Sequence, residues 1–542
     1  MATTDQSMTA SPAPSLPRLE RHGSASQLLV DGRPFLVRGG EIGNSSGEPE
    51  YLAQHWDTFE ALRMNTVVAP VYWDQVEPVE GSFTFSTVDG LIGAARGRGM
   101  RLVLLWFGSW KNSMSCYAPA WVKTDTERFP RSRDSRGRAL EILTPFSGEN
   151  RDADARAFAA LLRHLAEVDV DHTVILVQVE NEIGMIPEAR DRCAAAERAY
   201  GEPVPPELIT YLQANQATLT PELRARWQDA GGRVAGSWPE VFGPGVWTDE
   251  LFMAWHFARY VQHVAAAGKA ELDLPMYTNA ALPRTATLPG QYPGAGPLPH
   301  LIDIWQAAAP SLSFISPDIY FPDFVQWADR YTRPDNPLFV PEALRSVEAA
   351  ENAFYAYGAC SAIGFSPFGI ETIEELPATM LAGAYDIVAQ LSPLIVEHTG
   401  QTTMAGLVKP TEDQRFPHQI TLGDLVLNVT YERIAAPALA DGVINESGDR
   451  PRDETRLPAG GIVIRTSADE LVFGGIGLIV TFSPSPASED SIGILSCEEG
   501  HFVDGAWQHI RWLNGDQTHQ GRHLRLEPGR FTVQRIRLYR YR

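Results

Sequence analysis

Two glutamates that follow apolar segments of the sequence could together cleave a glycosidic bond. Glu182 follows the segment VILVQVEN, and Glu342 follows the segment PLFVP. One such glutamate could simply begin a solvent-exposed loop, because burying an unpaired carboxylate is costly. Two of them on separate strands that end at one mouth are what glycoside hydrolysis requires, since one acid protonates the leaving oxygen and one carboxylate attacks the sugar or activates water. The pair therefore favours a catalytic interpretation.

Other acidic and polar residues lie close to these two or follow another strand. Alternation along a β-strand places Glu180 and Glu182 on one face and Asn181 on the other, unless a bulge at the strand end changes the pattern. Glu41, in the segment RGGEIGNSS, could contact sugar hydroxyls or lie on the surface. Glu77 precedes a proline in a turn, so we expect it to have a structural role.

Aromatic side chains at strand ends could stack on the apolar faces of a sugar, or could only pack the mouth of the fold. The candidates are Trp73, Trp106, Trp110, Tyr320 and Phe368. With the polar residues included, the predicted substrate-binding set is Asn181, Glu41, Tyr72, Trp73, Trp110, Asn112, Tyr320 and Phe368.

Eight short apolar segments are expected to be the strands that position these side chains. They cover residues 34–40, 64–73, 100–108, 173–182, 274–280, 312–320, 336–343 and 359–369. Helical patterns alternate with them, which indicates a parallel sheet covered on both faces. The count of eight predicts a closed (β/α)8 TIM barrel of the α/β class. A doubly wound open sheet is the alternative, but no glycine-rich nucleotide-binding fingerprint and no P-loop follows any strand.

The pattern changes near residue 400, where turn-rich segments with period-two alternation begin. They predict a smaller all-β, sandwich-like domain over residues 400–542. The barrel is expected to span residues 26–395, after a disordered or extended segment at residues 1–25.

Two motifs carry a resemblance to a known family. The segment VQVENEIG is similar to the QIENEYG motif of glycoside hydrolase family 35, the β-galactosidases of the large clan that places Asn-Glu after the fourth barrel strand. The segment APVYWDQVEPVEGSFTF resembles the PWNxHEPxxGxFxF motif of the same family. The chain is similar to a divergent bacterial branch of that family, in which a β domain of unknown function follows the barrel.

The resemblance implies a retaining, exo-acting β-galactosidase that removes terminal β-D-galactosyl residues from galactosides or oligosaccharides by double displacement. In this resemblance Glu182 matches the general acid/base, Asn181 matches the residue that hydrogen-bonds the sugar 2-hydroxyl, and Glu342 matches the nucleophile. Two alternatives stay open: a retaining β-glycosidase for glucosides, xylosides or fucosides, and a catalytically silent carbohydrate-binding barrel.

The sequence also departs from the family. Pro70 stands where the familiar subgroup has a sugar-binding tyrosine, and Tyr72 lies close by but out of register. After the third strand, Trp110, Lys111 and Asn112 stand near the place of an Ala-Glu pair that holds the sugar in that subgroup. The contacts that select galactose therefore transfer less directly than the catalytic pair.

Composition excludes several other classes of protein. The 542 residues include 45 Lys and Arg against 67 Asp and Glu, and the resulting charge of −22 disfavours nucleic acid as a partner. No metal and no cofactor is expected, because the candidate catalytic residues include no histidine pair at ligand spacing. The expected partner is a small carbohydrate substrate, and a homo-oligomer stays open.

Targeting signals are not evident in the sequence. The first 17 residues have neither a basic start nor an apolar core typical of a secretory signal. We expect that no segment approaches the roughly 20 apolar residues needed to span a bilayer, and hence no membrane association. The four scattered cysteines are expected to be free thiols in a reducing compartment. Together these observations predict a cytoplasmic protein.

Overall fold

The computed structural model describes residues 15–410, 417–435, 456–486 and 489–542. Most of the predicted N-terminal segment 1–25 lies before residue 15 and so outside the described residues. Its end is the strand Arg18–His22, which pairs with Ala25–Val30 and then Arg33–Pro34 in a small antiparallel sheet. Leu28 and Val30 of this sheet pack against residues at the start of the barrel strands, so the sheet closes the amino-terminal end of the barrel.

Eight parallel strands form a closed barrel in chain order, as the sequence predicts. The strands are Val37–Glu41, Thr66–Tyr72, Arg101–Lys111, Val174–Asn181, Met276–Ala281, Phe314–Ile319, Phe339–Ala343 and Gly364–Pro367. Nearly every residue in them is buried, because the barrel interior packs on one face of each strand and the helices pack on the other. The prediction of a TIM barrel is confirmed.

Helices surround this barrel, and two long ones, Gly148–Val168 and Val246–Glu271, pack against each other. A hairpin of Arg131–Arg133 and Ala139–Leu143 follows the third barrel strand. Short helices follow the fourth strand and enlarge that side of the barrel. The remaining helices are Pro49–Leu52, Trp56–Ala61, Trp73–Val76, Ser86–Arg96, Ala120–Thr124, Ala194–Gly201, Pro206–Ala214, Pro221–Asp229, Trp238–Phe242, Ile302–Ala308, Phe324–Tyr331, Ala349–Gly358 and Glu375–His398.

The last of these helices, Glu375–His398, is long and apolar enough to cross a membrane by length and composition alone. This differs from the expectation that no segment of the sequence is long and apolar enough to span a bilayer. Its apolar side is the inner face of a barrel helix, with Leu381, Val388 and Leu391 fully buried. The Tyr385 hydroxyl lies 2.7 Å from the carbonyl oxygen of Gly39 on the first barrel strand. Packing against the barrel therefore accounts for its composition.

Two antiparallel sheets follow the barrel and enclose a separate apolar core. The larger sheet contains Met404–Val408, Gly460–Arg465, Glu470–Ile476, Ser491–Val503, Ala506–Trp512 and Thr532–Tyr541. The smaller sheet contains His418–Leu422, Leu425–Tyr431, Leu478–Pro484 and Leu524–Leu526. Inward-facing residues of both sheets meet in one cluster, so the predicted all-β sandwich is confirmed. The four cysteines are free, as expected.

Candidate active site

Four acidic side chains meet at the carboxyl end of the barrel, where parallel strands of this fold carry their active-site residues. Glu41 ends the first strand, Asp318 and Glu342 lie near the ends of the sixth and seventh, and Glu182 follows the last residue of the fourth. Carboxylate oxygens of Glu182, Asp318 and Glu342 all lie within 4.8 Å of one another. The barrel therefore brings the two predicted catalytic glutamates together and adds an aspartate to them.

Three donors hold the Glu342 carboxylate in place. The Asn181 and Asn279 amides each donate to Oε1 at 3.2 Å. The Tyr320 hydroxyl donates to Oε2 at 2.6 Å. Because all three donate to the carboxylate, they stabilise its negative charge in a site that is almost fully closed to solvent.

Glu182 has a different environment. The Asn112 amide donates a short hydrogen bond to its Oε2, and its own backbone N–H donates to Asn279 Oδ1 at 2.9 Å. Burial, and next the nearby charge of Glu342, raise the pKa of Glu182 to about 7, against smaller opposing effects of Lys111 and Asp318. A carboxyl group with this pKa is mainly protonated below pH 7 and mainly ionised above it.

Asp318 and Glu41 are the other two buried acids of the mouth. Asn279 donates to Asp318 Oδ2 at 2.7 Å, and Asp318 also shares a carboxyl–carboxyl hydrogen bond with Glu182. Both oxygens of Glu41 are buried and have no hydrogen-bond partner among the described residues. Burial, and next the charge of Glu342, raise the pKa of both side chains well above the usual range. Unpaired buried oxygens at the mouth are groups that the hydroxyls of a ligand could satisfy.

Glu180 departs from the predicted alternation. It is fully buried on the outer side of the barrel wall, where its Oε2 accepts from the Trp110 backbone N–H at 2.7 Å. The pairing of the third and fourth strands shifts register at this point, and both Glu180 and Glu182 have left-handed φ angles of 61° and 45°. This irregular backbone turns both Asn181 and Glu182 toward the mouth. The prediction that regular alternation places them on opposite faces is therefore wrong.

The predicted aromatic residues separate into two groups. Tyr320 and Phe368 lie at the mouth, with ring centroids 6.4 Å apart. Tyr72 is near the mouth, but its hydroxyl accepts from the Gly47 N–H at 3.1 Å and its ring stacks on Tyr117.

Trp73 and Trp110 do not fit the prediction of a sugar contact, because other protein groups occupy both their rings and their indole nitrogens. Trp73 Nε1 donates to Glu77 at 3.0 Å, in agreement with the structural role expected of Glu77. Trp110 Nε1 donates to the Leu143 carbonyl at 3.1 Å, and its ring packs on Tyr260. Trp106 is buried as well, and its Nε1 donates to Asp154.

Two residues of the site were not among the predicted ones, Asp318 and Asn279. Each is a polar residue near the end of a buried strand, in LSFISPDIY and PMYTNA, so the reasoning that selected Glu342 applies equally to them. Asn279 contacts Asp318, Glu342 and the backbone of Glu182, and thereby fixes their relative positions.

The three clustered carboxylates have the spacing of ligands to a cation. The same closeness suits proton transfer between the carboxyl groups and a bound ligand.

Two family models match the chain. Residues 45–350 match a β-galactosidase model, that of glycoside hydrolase family 42, and residues 381–525 match a domain of unknown function, DUF5597. The motifs of the sequence resembled family 35, and this finer assignment is not supported. What is supported is a glycosidase barrel of the same large clan, followed by a domain of unknown function.

Individual relatives match less of the chain. A β-galactosidase of Xanthomonas manihotis is 30% identical over 166 residues, which are 29% of this chain and 25% of that protein. The solved β-galactosidase of Bacillus circulans sp. alkalophilus is 14% identical, with a TM-score of 0.46 over 67% of this chain and 57% of that one. That of Rahnella sp. R3 is 17% identical, with a TM-score of 0.46 over 66% and 57%. This chain thus spans about a quarter of the curated relative and under two thirds of each solved enzyme.

Proposed function

This chain belongs to glycoside hydrolase family 42, the β-galactosidase family whose model matches more than half of it, and on this premise we propose that it removes terminal β-D-galactosyl residues from galactosides or oligosaccharides. The observation that carries the proposal is the closeness of Glu182 and Glu342, whose oxygens lie within 4.8 Å. Retaining glycosidases have carboxyl groups about 5–5.5 Å apart, whereas inverting enzymes have them about 6.5–9.5 Å apart. The spacing supports a retaining mechanism.

In the first step, a Glu342 oxygen attacks the anomeric carbon while the bond from that carbon to the leaving oxygen breaks. Glu182 gives its proton to the leaving oxygen. The donors Asn181, Asn279 and Tyr320 hydrogen-bond both oxygens of Glu342 and orient it for attack. The product of this step is a galactosyl ester of Glu342 and a released alcohol.

In the second step, Glu182 removes a proton from water, and the resulting hydroxide attacks the anomeric carbon and releases Glu342. Ester formation removes the charge of Glu342, which is one cause of the raised pKa of Glu182. The pKa of Glu182 therefore falls in the intermediate, so the same side chain can act as acid first and as base second.

The remaining polar groups of the mouth are proposed to bind the galactosyl hydroxyls. Asn181 lies against Glu342 and is suited to the hydroxyl next to the anomeric carbon. The unpaired oxygens of Glu41 are suited to hydroxyls farther around the ring. Tyr320 and Phe368 present the aromatic surface of the mouth.

A screen of nitrophenyl β-glycosides tests this function. We expect the wild type to hydrolyse the β-galactoside best, and Glu182→Ala and Glu342→Ala to lose at least about a thousandfold in kcat/KM on galactosides with a poor leaving group. Glu60→Ala, which removes a half-exposed glutamate away from the mouth, is the matched control and should be unchanged. A preference for glucoside, xyloside or fucoside would overturn the galactose assignment, and failure of every substrate would overturn the enzymatic one.

A further inference from the structure

A cavity of about 610 Å³ lies beside the candidate active site, between the barrel and the β domain. It is called the interdomain cleft below. Its walls include Tyr320, Phe321, Leu344, Asn352, Lys409 and Arg433. The first four follow the sixth and seventh barrel strands, and the last two belong to the β domain. Its volume falls in the range of about 300–1,000 Å³ that is usual for small-molecule sites.

The interdomain cleft borders the site through Tyr320. The hydroxyl of this residue donates to Glu342 at 2.6 Å, and the residue also lines the cleft, with 36% of its surface exposed. Leu344 lies two residues after Glu342 and is 49% exposed. Tyr320 therefore contacts the proposed nucleophile and also forms part of the cleft wall.

Two other cavities, one smaller and one larger than the cleft, lack this connection. One of about 290 Å³ lies beside Trp247 and His300, and one of about 710 Å³ lies beside Asn215 and Arg333. Neither is lined by any of the mouth residues that surround Glu182 and Glu342 in the described structure. Among these cavities, the interdomain cleft is the one placed to receive the part of a substrate that extends beyond the galactosyl group.

The surface chemistry of the interdomain cleft suits sugars. Tyr320, Phe321 and Leu344 offer apolar surface for the C–H faces of sugar rings. The Ser346 hydroxyl and the Asn352 amide also line the cleft, and neither has a hydrogen-bond partner elsewhere in the described part of the chain. Such groups can bond sugar hydroxyls without first breaking a protein contact.

The wall that the β domain supplies is fixed to the barrel. Glu351, on the barrel helix Ala349–Gly358, accepts a short hydrogen bond from Arg433 and a second one from the Ala459 N–H at 3.1 Å. Glu351 is buried, so these two hydrogen bonds form away from solvent and connect the barrel helix to the β domain. The shape of the cleft is therefore set by both domains together.

From these observations we propose that the interdomain cleft binds the leaving-group side of the substrate, and that this side is a glycan of two or more sugar units. The proposal rests on the function proposed above and gives the β domain a part in substrate selection. A short galactoside would leave the cleft empty, whereas a longer one would bury its sugars against both domains.

Chain-length preference tests the proposal. In the wild type, we expect kcat/KM for a β-galactotetraose to exceed that for galactobiose of the same linkage at least tenfold, for at least one linkage. The double variant Ser346→Ala with Asn352→Ala should lose most of that preference while hydrolysis of nitrophenyl β-galactoside stays within about twofold. Asn215→Ala with Thr218→Ala, in a separate cavity, is the matched control and should keep the preference.

Equal kcat/KM for the long and short glycans in every linkage would overturn the proposal, as would an equal loss on all substrates in the double variant. Calorimetric measurement of the binding of the two glycans to Glu182→Gln distinguishes failure of the cleft proposal from failure of the proposed function. Tighter binding of the tetraose without turnover in the wild type would contradict the enzymatic function, but it would still support the cleft as a glycan-binding site. Equal or no binding of both glycans would contradict the cleft.

Discussion

At the scale of single residues, two glutamates of the same chemical type acquire different properties from their neighbours. Glu342 accepts from three donors that stabilise its charge. Glu182 is buried beside that charge, and its pKa rises to about 7. Both side chains are buried, so the difference between their surroundings lies in the number and kind of hydrogen bonds that each accepts. One can therefore attack as a carboxylate while the other donates a proton.

The pH dependence of activity follows from Glu182. Because its pKa is raised to about 7, the protonated form prevails below that pH and is lost above it. We expect kcat/KM for a galactoside with a poor leaving group to fall about tenfold for each pH unit above 7. The measurement is a kcat/KM profile from pH 5 to 9.

The variant Glu182→Gln provides the control for this profile. Its residual activity on a galactoside with an activated leaving group should show no decline near pH 7, since that substrate needs no acid and the titrating group is gone. A decline that persists unchanged in Glu182→Gln would show that another group controls the alkaline limb.

At the scale of elements, a buried polar network holds the ends of the third and fourth barrel strands. Asp154, on the helix Gly148–Val168, accepts from Trp106 Nε1 at 2.8 Å. It also accepts from the Ser109 backbone N–H at 3.1 Å and from the Ser109 hydroxyl at 2.6 Å. Glu180 joins this network, and burial, with Asp154 as the next cause, raises its pKa well above the usual range. The network fixes the irregular backbone that presents Asn181 and Glu182.

Removal of the central acid should therefore destabilise the barrel. In Asp154→Ala, three buried donors lose their acceptor, and each unmade bond costs about 1–3 kcal/mol. We expect the free energy of unfolding to fall by about 3 kcal/mol or more, as measured by denaturant titration. Asp152→Ala, two residues away with a half-exposed side chain, should change it by less than about 1 kcal/mol. A similar small change in both variants would contradict the structural role of the network.

The sequence was sufficient to predict the elements but not all of their side-chain directions. Continuous apolar runs locate all eight barrel strands, because strands buried on both faces have that composition. Regular alternation fails at Glu180, where a register shift and positive φ angles depend on contacts with the third strand. Burial of Trp73 and Trp110 depends on helices distant in the chain, so a strand-end position alone could not separate packing from sugar binding.

At the scale of the whole molecule, the β domain packs closely on the last two barrel helices. Gly406, on the first strand of the larger sheet, approaches the backbone of the helix Ala349–Gly358. A Cβ at this position would lie 2.6 Å from the Phe354 carbonyl oxygen and 2.7 Å from the Tyr355 Cα. Backbone atoms cannot move aside as a flexible side chain can. The two domains are therefore expected to unfold cooperatively.

Substitution of this glycine tests the interface. We expect Gly406→Ala to lower the free energy of unfolding by about 1–3 kcal/mol, because overpacking forces the strand and the helix apart. Gly93→Ala is the matched control, since that glycine lies in the helix Ser86–Arg96 with open space around it and alanine there should be neutral or stabilising. Denaturant titration measures both, and a neutral Gly406→Ala would contradict the close contact.

The central claim is that Glu342 attacks the galactosyl carbon, and rescue by azide tests it most directly. In Glu342→Ala, the space left by the carboxylate should admit azide, which attacks nitrophenyl β-galactoside from the same face. The account predicts restored release of nitrophenol, with α-galactosyl azide as the product identified by NMR. In Glu182→Ala, azide should instead attack the intermediate on Glu342 and yield the β-azide. Failure of azide to restore activity in Glu342→Ala, or formation of β-galactosyl azide there, would contradict the assignment of Glu342 as the nucleophile.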